Sequence, residues 1–364
     1  MNLRIVILGL SITSSWGNGH ATVYRGLMRE LAKRGHQVLF LERDKPWYAG
    51  NRDSAAPAEG HVCLYHGVED LKLRFSETIE SADCVMVGSY IPEGIAIGEW
   101  IAETATGITA FYDIDTPVTQ AMLSAGKCEY LSPGLIPRYS IYLSFTGGPI
   151  LQEIERTYGS PDVRPFYCCV DADHYFPQPG AKPYDLGYIG TYSPDRQQGL
   201  ERLLLTPANA NPTGSFIVAG PMYPEAIHWP RNVKKVDHIP PSEHRDFYNS
   251  QRFTLNITRR DMVKWGYSPS VRLFEAAACG VPIITDHWPG LTEFFQPGKE
   301  ILTAHSAKEV LDYLQGMAPQ DAQAIAERAR LRILCEHTAA HRASELESMI
   351  LEKGNQGTIR KESL

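Results

Sequence analysis

Ser268, Arg272 and Glu275 place a helix-start hydroxyl, a guanidinium and a carboxylate within one short stretch, S-P-S-V-R-L-F-E-A-A-A-C-G-V-P. Ser268 suits an N-cap and Pro269 the first helical position, and Gly280 supplies the stop before a strand at residues 281–285. At about 100° per residue the three side chains share one helix face and span roughly 10 Å. That reach matches a diphosphate joined to a ribose. Free N–H groups at the helix start and the Arg272 guanidinium favour phosphate, and the Glu275 carboxylate can accept from a pair of sugar hydroxyls. The competing reading is an ordinary capped helix that packs on a sheet through its alanines.

Other motifs carry chemistry elsewhere in the chain. S-I-T-S-S-W-G-N-G-H, residues 11–20, sets Gly17, Asn18 and Gly19 just before a helix start, with His20 facing a ligand or held by local bonds. Its glycines are too far from the strand for a dinucleotide fingerprint, although Glu42 at the end of the second strand imitates the ribose acid of such folds. Asp113 and Asp115 form a D-x-D that reads as a turn or a polar cleft wall, with a shared divalent metal as the alternative. G-Y-I-G-T-Y-S-P-D-R, residues 187–196, has Gly190 for close backbone approach and Arg196 for phosphate oxygens. In H-I-P-P-S-E-H, residues 238–244, His238 and Ile239 follow a strand and can meet a nucleobase or form a simple proline turn. His337 and His341 are four apart but lack a third ligand, so a helix boundary is favoured over a metal site. No nucleophile elbow, P-loop or paired C-x-x-C is present, which disfavours hydrolase, kinase and zinc-module readings.

The elements that must carry these groups alternate. Strands are predicted at 3–8, 37–41, 84–87, 108–112 and 141–145. After a Pro- and Asp-rich connection at 164–183 they resume at 185–189, 215–219, 233–236, 253–257, 281–285 and 301–303. Helices are predicted at 197–205, 242–250, 268–279, from a Ser306/Glu309 capping box onward, and at 322–334 and 339–353. This pattern gives an α/β chain of two open, Rossmann-like parallel-sheet domains, 1–168 and 169–338, with a helix at 339–353 and a flexible tail at 354–364. Ligands of such sheets bind beyond the strands' carboxyl ends, so the chemistry is expected in an interdomain cleft.

Composition agrees with a soluble two-domain protein: 364 residues, 43% apolar, 21% charged and a formal net charge of -7. Without a dense basic cluster no general nucleic-acid binding is expected. Seven scattered cysteines read as reduced core residues, and residues 3–10 are too short to span a membrane, so the location is read as cytoplasmic with no transmembrane segment.

The motifs R-L-F-E-A-A-A-C-G-V-P-I-I-T-D, G-L-T-E-F-F-Q-P-G-K-E and L-G-Y-I-G-T-Y-S-P-D-R together resemble the CgeB-type, spore-maturation-like glycosyltransferases of the GT-B fold, relatives of the family 4-like enzymes. The resemblance is specific over residues 184–303, while G-N-G-H and R-G-H-Q-V are similar to the wider group. It implies a glycosyltransferase that moves a sugar from a UDP-, dTDP- or GDP-sugar to an acceptor hydroxyl, retaining favoured over inverting, with no metal or other cofactor. The last helix would cross back to the first domain. The catalytic set would be His20, Arg196 and Arg272. Donor contacts would come from Gly190, Thr191, Arg196, His238, Ile239, Ser268, Ser270, Arg272 and Glu275, and the acceptor side from Gly17, Asn18, Gly19, His20, Asp113 and Asp115. Tyr267 stands where retaining relatives carry a second acid, and Thr191 where they carry an arginine. The acceptor is a protein, a glycan, a lipid-linked sugar or a small metabolite. A nucleotide-sugar epimerase and a non-catalytic nucleotide-sugar-binding protein are the alternatives.

Overall fold

The computed structural model describes residues 2–53 and 61–362. The chain forms two compact units, one of Met1–Cys168 with Ala339–Leu364 and the other of Cys169–Thr338.

In the first unit, β1 (Arg4–Gly9), β2 (Gln37–Arg43), β3 (His61–Tyr65), β4 (Cys84–Gly88), β5 (Ile108–Asp113), β6 (Ile141–Ser144) and β7 (Val163–Pro165) form one parallel sheet. Its order is β3-β2-β1-β4-β5-β6-β7. The register sets Leu8 beside Leu41 and Val87. Central strands are buried on both faces, which is why they read as unbroken apolar runs. The helix Ala21–Lys33 buries Tyr24, Leu27, Met28 and Leu31 at helical spacing. Ala339–Glu362 packs against it, pinned by Glu347 to Arg34 and by Lys353 to Asp162 at 2.8 Å. That helix runs to Glu362, through residues expected as a loose tail, because each added residue extends an existing hydrogen-bond ladder.

The second unit holds β8 (Tyr184–Ile189), β9 (Phe216–Ala219), β10 (Val233–Val236), β11 (Gln251–Asn256), β12 (Ile283–Thr285) and β13 (Leu302–Thr303). The order is β10-β9-β8-β11-β12-β13, all pairs parallel, with the strand order reversing between β8 and β11. Such a reversal leaves a crevice at the strands' carboxyl ends.

Several expectations are corrected. The functional helix is Val271–Ala278, with Ser270 in the capping position, because Ser270 is extended (φ -79°, ψ 141°) and the helix cannot include Ser268 and Pro269. Gly266 and Tyr267, both at positive φ (70° and 52°), turn the chain just before it. Strands β3 and β7 lie outside the predicted set, as does the short helix Arg260–Trp265. Cys335 is exposed and Cys63 and Cys128 are half-buried, so the thiols are not all core residues. Among the described residues, no helix is long and apolar enough to cross a membrane.

Candidate active site

Arg272 spans the crevice of the second unit. Its Nε donates to the carbonyl of Ile189 at the end of β8, and its Nη1 donates to Asn256 Oδ1 at the end of β11 (2.7 Å) and to Ser270 Oγ (3.4 Å). The guanidinium lies 4.7 Å from the ring centroid of Tyr188, a cation–π contact. These bonds hold a nearly buried cation across the two strands that flank the reversal. Gly190 makes room for it, since a Cβ there would come within 2.7 Å of Nη2 and 2.9 Å of the Tyr188 hydroxyl. The glycine expected to admit a ligand thus first admits Arg272. Asn256, which the motifs do not single out, passes the constraint on by donating to the Thr285 hydroxyl at 2.9 Å.

Glu275 sits one turn along the same helix and is 5% exposed. Its Oε2 accepts from the Tyr248 hydroxyl at 2.8 Å and lies 4.0 Å from His244 Nδ1. His244 Nε2 is 3.1 Å from the Ile239 carbonyl, which can only accept, so Nε2 carries the proton. Nδ1 is then the acceptor for the Tyr175 hydroxyl at 3.2 Å. Burial lowers the His244 pKa, partly offset by Glu275, and a neutral imidazole fits this tautomer. The residue 239–241 turn is thereby tied through His244 to Tyr175, next to the Glu275 carboxylate. Tyr248 and Tyr175 each stand beside a phenylalanine among polar residues and belong to no motif, and only the fold brings them to the acid.

Around these two groups the remaining expected donor residues take separate places. Arg196, within the helix Pro194–Leu200, donates through Nη2 to the Thr191 carbonyl at 2.8 Å, bracing the loop that carries Gly190. Tyr223 donates to the Gly190 carbonyl at 3.2 Å. Burial raises its pKa, as does Tyr188, while Arg196 and Arg272 both pull it down. His238 is exposed and Ile239 half-buried. Ser268 is buried ahead of the helix, so Ser270 is the hydroxyl at its start. Tyr267 is fixed by its N–H to the Pro289 carbonyl (2.7 Å) and by Gly290, where a Cβ would meet its ring at 2.4 Å.

In the first unit, Glu42 organises the loop at residues 11–20. Fully buried, it accepts from the Ser11 hydroxyl (3.0 Å), the Ile12 and Thr13 N–H groups (2.7 and 3.0 Å) and the Thr13 hydroxyl (2.7 Å). This carboxylate is consumed by its own fold, so it is not available as the ribose acid of a dinucleotide site. Asn18 is likewise spent inside the loop, donating to the Ser11 carbonyl (2.9 Å) and accepting from the His20 N–H (3.2 Å). Gly17 has φ 63° and Gly19 leads into His20, whose ring packs edge-on against Phe145 at 5.5 Å. Asp113 is fully buried and accepts from Thr119 (2.7 Å) and Tyr142, so it supports the wall instead of facing a ligand. Burial raises its pKa to about 6. Asp115 accepts from the Tyr90 hydroxyl at 3.1 Å, and Tyr90 sits at φ 66°. Among the described residues, no three His, Cys, Asp or Glu side chains gather as for a metal ion.

Residues 196–348 match the family model described as glycosyl transferase-like. This glycosyl transferase-like region contains Arg196, Arg272 and Glu275. No curated protein matches the chain. Among solved structures, the sucrose-phosphate synthase tll1590 of Thermosynechococcus elongatus aligns at TM-score 0.71 and 14% identity, covering 96% of this chain and 99% of its own. Anabaena Alr3699/HepE, solved with UDP and glucose, aligns at 0.71 and 13%, covering 96% and 100%. An alpha-glucosyltransferase solved with UDP and a 13-mer DNA containing a HMU base aligns at 0.70 and 12%, covering 96% and 100%. The fold is GT-B, with both sheets in parallel Rossmann-like order.

Proposed function

We propose that the protein is a glycosyltransferase that moves a sugar from a nucleotide-sugar donor to an acceptor hydroxyl, with retention and without a metal ion. The observation that carries this reading is Arg272, held across the β8/β11 reversal three residues ahead of the nearly buried Glu275, within the glycosyl transferase-like region. In this proposal Glu275 accepts from the donor ribose, and Arg272, Ser270 and Arg196 meet the diphosphate. Charge that develops on the leaving diphosphate is then met by cations already in place. His20, Gly17, Gly19 and Asp115 serve the sugar and acceptor side, with Asn18 and Asp113 supporting them from behind. The UDP and UDP-glucose held by structural neighbours make uridine donors the first to test, followed by dTDP- and GDP-sugars.

The test is calorimetric titration of UDP, dTDP and GDP into the wild type and Glu275→Gln, followed by product analysis with the matching sugars. Gln keeps an acceptor for Tyr248 but loses the charge, so at least one nucleotide should bind about tenfold more weakly to the variant, a loss of about 1.4 kcal/mol. Undiminished binding by Glu275→Gln would sink the ribose assignment. Release of nucleotide with sugar joined to an acceptor supports transfer. Interconversion of donor sugars, or binding without turnover, points to an epimerase or a non-catalytic protein.

A further inference from the structure

We infer that a second ligand site, for a phosphate group, lies at the carboxyl ends of β11, β12 and β13. A cavity of about 220 Å³ opens there, with Arg202, Arg260, His287 and His305 on its lining. It is separate from the surroundings of Arg272 and Glu275, neither of which lines it. The helix Pro194–Leu200 explains the separation. Asp195, Gln198 and Gly199, at i, i+3 and i+4, turn one stripe to the cavity, while Arg196 lies about 100° round the helix.

The charges facing the cavity favour an anion. Asp195 is engaged, accepting from the Ser193 hydroxyl and from the Arg260 backbone N–H (3.0 Å), with Arg259 Nε at 3.8 Å to balance it. Asp286 is also occupied, accepting from the Thr258 N–H (3.1 Å) and hydroxyl (2.9 Å), and burial raises its pKa. The Arg202 and Arg260 guanidinium groups, by contrast, have no ion-pair partner among the described residues. His287 and His305 stand with ring centroids 6.0 Å apart and add two more donors. Two guanidinium forks and two imidazoles around one opening match the oxygens of a phosphate, and the Asp195 bond to the Arg260 N–H anchors the main chain from which one fork extends. The phosphate belongs either to the free ion or to a phosphorylated sugar.

This inference does not depend on the donor assignment, and its test keeps the two apart. The full-length protein is titrated calorimetrically with inorganic phosphate, then with a hexose monophosphate, in phosphate-free buffer. One saturable site is expected, weakened at least tenfold in the Arg202→Ala/Arg260→Ala double variant and at least threefold in His287→Ala, with UDP affinity unchanged within twofold. Equal affinity for the two probes identifies free phosphate, and tenfold tighter monoester binding identifies a phosphorylated sugar; either supports the site. Absence of saturation by both probes overturns it. So does binding that survives the double variant.

Discussion

Arg272 looks in the sequence like a free hand for phosphate, yet most of its donors are occupied by Ile189, Asn256 and Ser270. Truncation to alanine would therefore strip two strand ends of a partner as well as removing a charge, costing about 1–3 kcal/mol of stability. This is why Glu275→Gln is the cleaner probe of the proposed donor pocket. Asp113 offers a second residue-scale test. Its folded pKa of about 6 lies above the unfolded carboxyl value near 4, so the native state binds the proton more tightly. The associated stability is fully present below the unfolded pKa and is lost as pH rises through the folded one. Between pH 7 and pH 5 the wild type should gain about 1 kcal/mol relative to Asp113→Asn. Thermal unfolding of both proteins at the two pH values measures this, and a gap that does not change with pH would show that Asp113 is not the titrating group.

Elements place these residues, and glycines decide how closely the elements meet. In Gly190→Ala the new methyl would press on Arg272 Nη2, so the guanidinium must leave its bonds to the ends of β8 and β11. Nucleotide affinity should fall about tenfold, on the order of one charge-assisted hydrogen bond. Gly17→Ala is the contrast, since its Cβ would meet nothing within 4 Å and only the φ of 63° resists it, at about 1 kcal/mol. Titration of both variants separates the cases: an unaffected Gly190→Ala would mean that Arg272 does not need its present position. At this scale the sequence was readable where signals were redundant. The strands β1, β2, β4 and β5 are apolar runs bounded by turns, and the Ser306/Glu309 capping box forms, with Ser306 Oγ accepting from the Glu309 N–H at 3.3 Å. Gly280 ends its helix at φ 65° as expected. β3 was illegible because H-V-C-L-Y is half-buried at a sheet edge, and β7 because three residues ending in a proline carry no period. The helix start moved because Ser-Pro-Ser offers two capping serines, and only the turn at Gly266 and Tyr267 chooses between them.

For the whole molecule, the arrangement of charge matters more than its sum. A chain with a formal net charge of -7 keeps Arg272 and Arg196 close enough to act together on the Tyr223 phenol. In the proposed function these two guanidiniums would meet the departing diphosphate, the step at which other enzymes use a divalent ion. The candidate donor site was therefore legible as residue types, Arg196, Arg272 and Glu275. Asn256, Tyr223 and Tyr248 were not, because each gains its role from strands and helices distant in sequence, and His244 was visible only as the end of the 238–244 motif. If the arginines supply the charge, sugar transfer should continue within about twofold when EDTA is present, and Arg196→Ala should slow it by about 10–100-fold, the equivalent of about 1.4–2.7 kcal/mol of transition-state stabilisation. Chelation would have to leave that variant no slower than it already is. Rates measured with the donor found by titration, with and without chelator, decide the matter: a tenfold loss on chelation that added Mg²⁺ restores would transfer the charge-bearing role from Arg196 and Arg272 to a metal ion.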